Sequence, residues 1–181
     1  LRSPALHDTA VLINEFGEVG LDHHLLERLD ETTVLLQSGC VCCTIRGDLS
    51  KAMRDLHAKR DAGMVPLYRR LVIETTGLAD PLPVLTTVTA DAVLCHHYRL
   101  GNVITTVDAV NGAEQLNRQP ESRKQAAVAD RLVITKSDLS VPSDTQSLIR
   151  RLRALNPAAD VLIGKPAQDQ AEQLLAHDVF D

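Results

Sequence analysis

Three cysteines fall within four positions in "SGCVCCTIRGD" (Ser38–Asp48), and the chain has only one other, Cys95. Thiolates at this density select Zn²⁺, Cu(I) or Co²⁺ over hard ions. Cys40, Cys42 and Cys43 supply three ligands and leave one tetrahedral position for a carboxylate, an imidazole or water, the arrangement of an exchangeable site. Other chemistries use the same residues. Cys40 and Cys43 have the spacing of a Cys-x-x-Cys redox pair, although a thioredoxin-like context is missing. Free cysteines also pack as small apolar residues. A disulfide fits least well, because Cys42 and Cys43 are adjacent and Cys40 with Cys42 closes only a tiny loop.

Three further polar clusters could do chemistry. "NEFGEVGLD" (Asn14–Asp22) carries Asn14, Glu15, Glu18 and Asp22 between glycines that loosen the backbone. "ETTGLADP" (Glu74–Pro81) offers Glu74, whose carboxylate can hold a Mg²⁺ shell or a water, and Gly77, where a backbone N–H can approach a terminal phosphate. "TKSD" (Thr135–Asp138) can read guanine: Asp138 accepts from the ring N–H and the exocyclic amine while the Lys136 stem packs along the base. Adenine presents the wrong donors, and a site built on such bonds penalises it. Taken singly, "TKSD" also reads as a surface turn with a Ser/Asp helix cap, "ETTG" as a strand-to-loop turn, and Glu15 and Glu18 as carboxylates solvating a surface loop.

These clusters need elements to position them. Apolar runs at Thr9–Glu15, Thr32–Gln37, Arg70–Thr75, Asn102–Asp108, Arg131–Lys136 and Asp160–Gly164 do not alternate with polar residues, which suits strands buried on both faces. Helical patterns lie between them. Leu49, Met53 and Leu56 share a face in a segment ending near Gly63. Asp80 is an N-cap with Pro81 at the first helical position, and Leu148, Leu152 and Leu155 precede a stop at Asn156-Pro157. This alternation argues for an α/β fold, a mostly parallel sheet with helices on both faces. Ligands of such sheets sit at the carboxyl ends of the strands, where the four clusters fall.

Composition narrows the classes. The length of 181 residues suits one domain, spanning residues 1–181, and 44% apolar content is ordinary for a globular chain. Two Phe, two Tyr and no Trp leave an aliphatic core and no stacking platforms for single strands, while a net charge of −5 gives no footprint for nucleic acid. No apolar run approaches a membrane span and no signal peptide is visible, so neither nucleic acid nor membrane is an expected partner. Four cysteines are too few for a disulfide scaffold, and a cytoplasmic location is expected. Cys95 reads as a buried small residue, and His23-His24 and His96-His97 as solvated or packing pairs, since sequence neighbours point different ways. His7, His57 and His177 have no supporting context.

Taken in order, "NEFGEVGLD", "GCVCC", "ETTGLADP", "VDAV" and "ITKSDL" closely resemble the CobW-like GTPases, a metallochaperone group within the P-loop GTPases, and lie nearest its YjiA-type members. The resemblance implies a P-loop NTPase fold and a nucleotide-gated metal chaperone that hydrolyses GTP with Mg²⁺ and carries Zn²⁺ or Co²⁺ to a client metalloprotein or metal-dependent enzyme. It implies catalytic roles for Glu74 and Gly77, nucleotide contacts from Asn14, Glu15, Thr135, Lys136 and Asp138, and a metal site of Cys40, Cys42 and Cys43 with Glu18 added. Ile13 stands where some relatives have an acidic ligand, and Thr135 where GTPases commonly have Asn, at a loss of roughly 0.5–1.5 kcal/mol for one hydrogen bond. The family's phosphate loop, Gly-x-x-x-x-Gly-Lys followed by Ser or Thr, does not occur, since Gly164-Lys165 runs into Pro166. It is expected on a strand–helix unit before Leu1, and a carboxy-terminal domain beyond Asp181. As it stands the chain is therefore expected to be a partial GTPase domain without turnover. A metal-binding module without catalysis and a regulatory GTPase with a redox-sensing cysteine cluster are the alternatives.

Overall fold

The helical spacing of Leu49, Met53 and Leu56 is realised in helix α1 (Ile45–Asp61), where all three are buried. Its end has a physical cause. Gly63 adopts φ +69°, the Gly63 N–H donates to the Arg60 carbonyl at 3.0 Å, and the Met64 N–H donates to the Lys59 carbonyl at 2.8 Å. This is a Schellman turn, and a side chain at Gly63 would be strained there. The computed structural model describes residues 8–14, 45–164 and 174–175; the predicted strand Thr32–Gln37 lies outside them.

The chain divides into two compact units, Leu1–Leu100 and Gly101–Asp181. In the first, strands β1 (Thr9–Asn14) and β2 (Arg70–Thr75) pair in parallel, with Thr9 opposite Arg70 and Asn14 opposite Thr75. Leu12, Leu49, Met53, Val88 and Leu94 form one apolar cluster, and Ala10, Leu56 and Tyr68 form another. Helix α2 (Pro81–Ala90) starts as its sequence dictates: Asp80 accepts the Leu82 N–H at 3.1 Å and Pro81 occupies the first turn. A short helix α3 (Leu94–His97) follows, and a polar clamp ties its start to α1. Ser50 donates to one Asp91 oxygen, Arg54 pairs with Asp91 at 3.1 Å, and the other oxygen accepts the Val93 and Leu94 N–H groups at 3.0 and 3.1 Å. The Ser50 hydroxyl, followed by these N–H groups, holds the Asp91 carboxyl below its usual range.

In the second unit β3 (Ile104–Asp108), β4 (Arg131–Thr135) and β5 (Asp160–Ile163) form a parallel sheet in that order. Between them lie α4 (Gly112–Arg118), α5 (Pro120–Val128), a 3₁₀ turn at Ser137–Leu139 and α6 (Pro142–Leu155). The central strand is buried from Arg131 to Ile134, as its unbroken apolar run requires. Leu132, Ile134, Leu148, Ile149, Leu152 and Ala126 anchor the core. Gly112 is fixed by close approach: a Cβ there would meet Val107 Cγ1 at 2.7 Å.

The structure corrects several expectations. Strand β3 begins at Ile104 rather than Asn102, because the Asp130 carboxylate takes the Val103 N–H at 2.7 Å. Leu155 is 39% exposed; the inward face of α6 is Thr145, Leu148, Ile149 and Leu152. Cys95 is exposed, since Leu94 is the buried residue of α3. Helices α4 and α5 had no counterpart among the sequence patterns.

Asn156 does more than end α6. It is buried, and its amide donates to the carbonyls of Ala126, Ala127 and Ala129 at 3.0, 3.1 and 2.8 Å while its oxygen accepts the Ala159 N–H at 3.2 Å. One side chain therefore satisfies the end of α5 and the approach to β5. Asn156→Asp keeps the shape but aims an acceptor at three carbonyls. It should lower the unfolding free energy by about 3 kcal/mol in urea denaturation, whereas Leu155→Gln should stay within about 0.5 kcal/mol.

Candidate functional site

The residues that sequence reasoning assigned to guanine sit on a loop built by the β3–β4 register. Asp108 lies directly opposite Thr135, the last residue of β4. The Ala109 N–H donates to the Thr135 carbonyl at 2.9 Å, and the Thr135 hydroxyl donates to the Val107 carbonyl at 3.4 Å. Thr135 therefore spends its hydroxyl hydrogen on joining the two strand ends. Lys136 then turns left-handed, at φ 54° and ψ 31°, which costs a non-glycine residue about 1–2 kcal/mol. That turn returns its ammonium to Asp108 at 2.7 Å. Asp138 follows on the 3₁₀ turn, exposed, with no hydrogen-bond partner among the described residues.

Asp108 is the residue that sequence reasoning missed here. It closes the apolar run Asn102–Asp108 and falls within "VDAV" but received no role; its signal was a carboxylate ending a strand, like Glu74. Its oxygens accept from Lys136, from the Val110 and Asn111 N–H groups at 2.7 and 3.1 Å, and from the Asn111 amide at 3.4 Å. The Lys136 hydrogen bond is the largest cause of an Asp108 pKa lowered to about 2; the Asn111 and Val110 N–H groups add to it and partial burial opposes it.

The first unit has its own strand edge. Ile13 pairs with Glu74 and Asn14 with Thr75, so the backbone of Asn14 and the "ETTG" turn leave the sheet side by side. Glu74 is exposed. Beyond it Thr76 shapes the turn, its hydroxyl accepting the Leu78 N–H at 3.4 Å and its carbonyl the Ala79 N–H at 3.1 Å. A Cβ built at Gly77 meets nothing within 4 Å, so there is open space beside this residue. Glu15, Glu18, Cys40, Cys42 and Cys43 lie outside the described residues.

His57, His96 and His97 pack with one another, while His7, His23, His24 and His177 lie outside the described residues. His57, which the sequence gave no context, stacks on His97 at 4.2 Å, and its Nδ1 is buried without a hydrogen-bond partner among the described residues. Burial, reinforced by the Arg60 cation, pushes its pKa down. His96 meets His97 edge-on at 5.1 Å. Among the described residues no group of three or more His, Cys, Asp and Glu side chains is arranged to hold a metal ion.

Residues 1–163 match the family described as "CobW/HypB/UreG, nucleotide-binding domain". Over 152 residues, 84% of this chain and 47% of the relative, the sequence is 40% identical to "Zinc chaperone YjiA" of Escherichia coli. It is 32% identical over 149 residues, 78% of this chain and 35% of the relative, to "Zinc-regulated GTPase metalloprotein activator 1" of Schizosaccharomyces pombe. The crystal structure of Zn(II)-bound YjiA GTPase from E. coli superposes with a TM-score of 0.69 at 33% identity, over 88% of this chain and 49% of that one. The fold is the α/β fold of a P-loop NTPase, and the chain spans less than half the length of these relatives.

The cause assigned to the Asp108 shift can be tested directly. A carboxyl with a lowered folded pKa contributes stability that is complete above its unfolded value and lost as pH falls through the folded one. For Asp108 that window runs from the ordinary 3.8 down to about 2. Carbon-13 NMR titration should place its midpoint near the lower end, and Lys136→Met should move it up towards 3.8. An unmoved midpoint would remove Lys136 as the cause.

Proposed function

Because the chain belongs to the CobW/HypB/UreG nucleotide-binding domain family, we propose that it is the GTPase domain of a nucleotide-gated metal chaperone, both compact units being parts of one domain. The observation that carries this reading is the β3–β4 loop. There the left-handed Lys136, its ammonium on Asp108, is followed by an exposed Asp138 carboxylate, and this arrangement suits a guanine base. Asp138 accepts from the guanine ring N–H and exocyclic amine, and the Lys136 stem lies along the base. An adenine base leaves that carboxylate unpaired, which is the source of selectivity.

At the phosphate end the roles fall to Glu74, Gly77, Asn14 and Glu15. The donor chemistry of Glu74, an exposed carboxylate near the end of the half-buried strand β2, suits the hydration shell of Mg²⁺. When bound, Mg²⁺ neutralises charge on the phosphates. The open space beside Gly77 leaves room for a terminal phosphate to approach. Hydrolysis on this reading is positioning and electrostatics, with a held water as nucleophile.

The transition metal is cargo. Cys40, Cys42, Cys43 and Glu18 are its proposed ligands, supported by thiolate chemistry, by their spacing and by the zinc-related names of the relatives. The segment Asn14–Asp22 runs on from β1 and carries Glu15 and Glu18, so nucleotide state can alter the metal site through it. The recipient is a client metalloprotein or metal-dependent enzyme, and the location is cytoplasmic. No helix among the described residues is long and apolar enough to cross a membrane.

Reduced protein titrated with Co²⁺ should develop intense thiolate-to-metal charge-transfer absorption at one ion per chain. Cys42→Ser or Cys43→Ser should diminish it, and acid should weaken binding because the ligands must shed protons. Absorption unchanged in both variants would refute the thiolate site.

A further inference from the structure

We propose that Asp108 is a positioning residue for guanine recognition, holding the Lys136 side chain before the nucleotide arrives. This rests on the reading of Thr135–Asp138 as the base-recognition loop and adds to it a residue from a different strand.

Four observations place Asp108 in this role. It stands opposite Thr135 across the β3–β4 ladder, so the register itself delivers it to the loop. Its Oδ2 receives the Lys136 ammonium at 2.7 Å, while its Oδ1 receives the Val110 and Asn111 N–H groups. The carboxylate is thus gripped by its own turn and cannot follow the lysine. Its side chain is only 14% exposed against 57% for Lys136, so the anchored partner is the acid and the mobile one the base.

A lysine side chain carries large rotamer freedom, and ordering it on ligand binding lowers affinity. Here the ordering precedes binding. Thr135, in place of the usual Asn, spends its hydroxyl hydrogen on the Val107 carbonyl, and so the Asp108–Lys136 pair becomes the polar side-chain tie between the β3 end and Lys136 itself. The pair acts on the base-reading end of the site. Its removal should therefore weaken GDP and GTP alike.

The test is a double-mutant cycle on the whole protein with fluorescent GDP and a non-hydrolysable GTP analogue, and ADP as the control. Asp108→Asn preserves the acceptor for Val110 and Asn111 but removes the charge. It should weaken both guanine nucleotides by the same factor, about five- to tenfold, with urea denaturation confirming a folded variant. In a Lys136→Met background the same change should cost nothing further, because no ammonium remains to be held. A purely structural role for Asp108 predicts an undiminished loss in that background, and this result would overturn the proposal. Unchanged affinity in Asp108→Asn, with guanine still preferred over adenine, would overturn it and leave the proposed function standing. Equal binding of GDP and ADP by the unsubstituted protein would overturn both.

Discussion

Parallel pairing sends neighbouring strands out of a sheet at the same end, and the candidate chemistry of this chain depends on that constraint. In the second unit the β3–β4 register sets Asp108 opposite Thr135, and the Lys136 turn, the Asp108 ion pair and the open Asp138 carboxylate follow from it. A slip of one residue would turn Asp108 to the opposite face of the sheet and expose part of an apolar strand. The burial of Val107, which packs in the core with Leu148, opposes that slip. Core packing thus fixes a polar contact at the rim. The same logic operates in the first unit, where the β1–β2 register brings the end of "TAVLIN" beside "ETTG".

Loop shape at these edges is set by short-range capping. Asp80 starts α2, Thr76 closes the turn before it, and Asp108 accepts the N–H groups of its own β3–α4 connection. Asp108 has two duties, turn closure with one oxygen and lysine capture with the other. Asp91 divides its oxygens in a similar way between the start of α3 and the Ser50–Arg54 clamp. In each case a carboxylate is held by backbone before it meets a side chain.

Much of this was legible in the sequence. Parallel strands announce themselves as unbroken apolar runs, and Arg70–Thr75 has the predicted bounds, although its residues are half-buried or exposed rather than covered on both faces. Asp80-Pro81 and Gly63 are local signals whose geometry needs no tertiary context, and both held. The misses were tertiary. The inward face of α6 ends in Asn156 rather than Leu155, because three carbonyls around α5 recruit the amide. Cys95 is exposed because α3 is only four residues long and buries Leu94. Helices α4 and α5 are short and mostly polar, split at Gln119-Pro120, so periodicity gave them no signal. The His57–His97 stack and the Asp108–Lys136 pair join residues 40 and 28 positions apart, which no local pattern reports. The cysteine cluster and the carboxylates of "NEFGEVGLD" lie outside the described residues, and their roles rest on chemistry, spacing and kinship.

The functional account joins a guanine-reading loop to a thiolate metal site through the segment that follows β1. Its central claim is that the two sites share free energy, and equilibrium coupling of this kind must be reciprocal. The most direct measurement is zinc affinity by calorimetry on the whole protein, first with GDP bound and then with a non-hydrolysable GTP analogue. The account predicts tighter zinc binding in the GTP-analogue state, by a factor of about 5–150, and an equal tightening of the analogue by zinc. Equal zinc affinity in the two nucleotide states would contradict it.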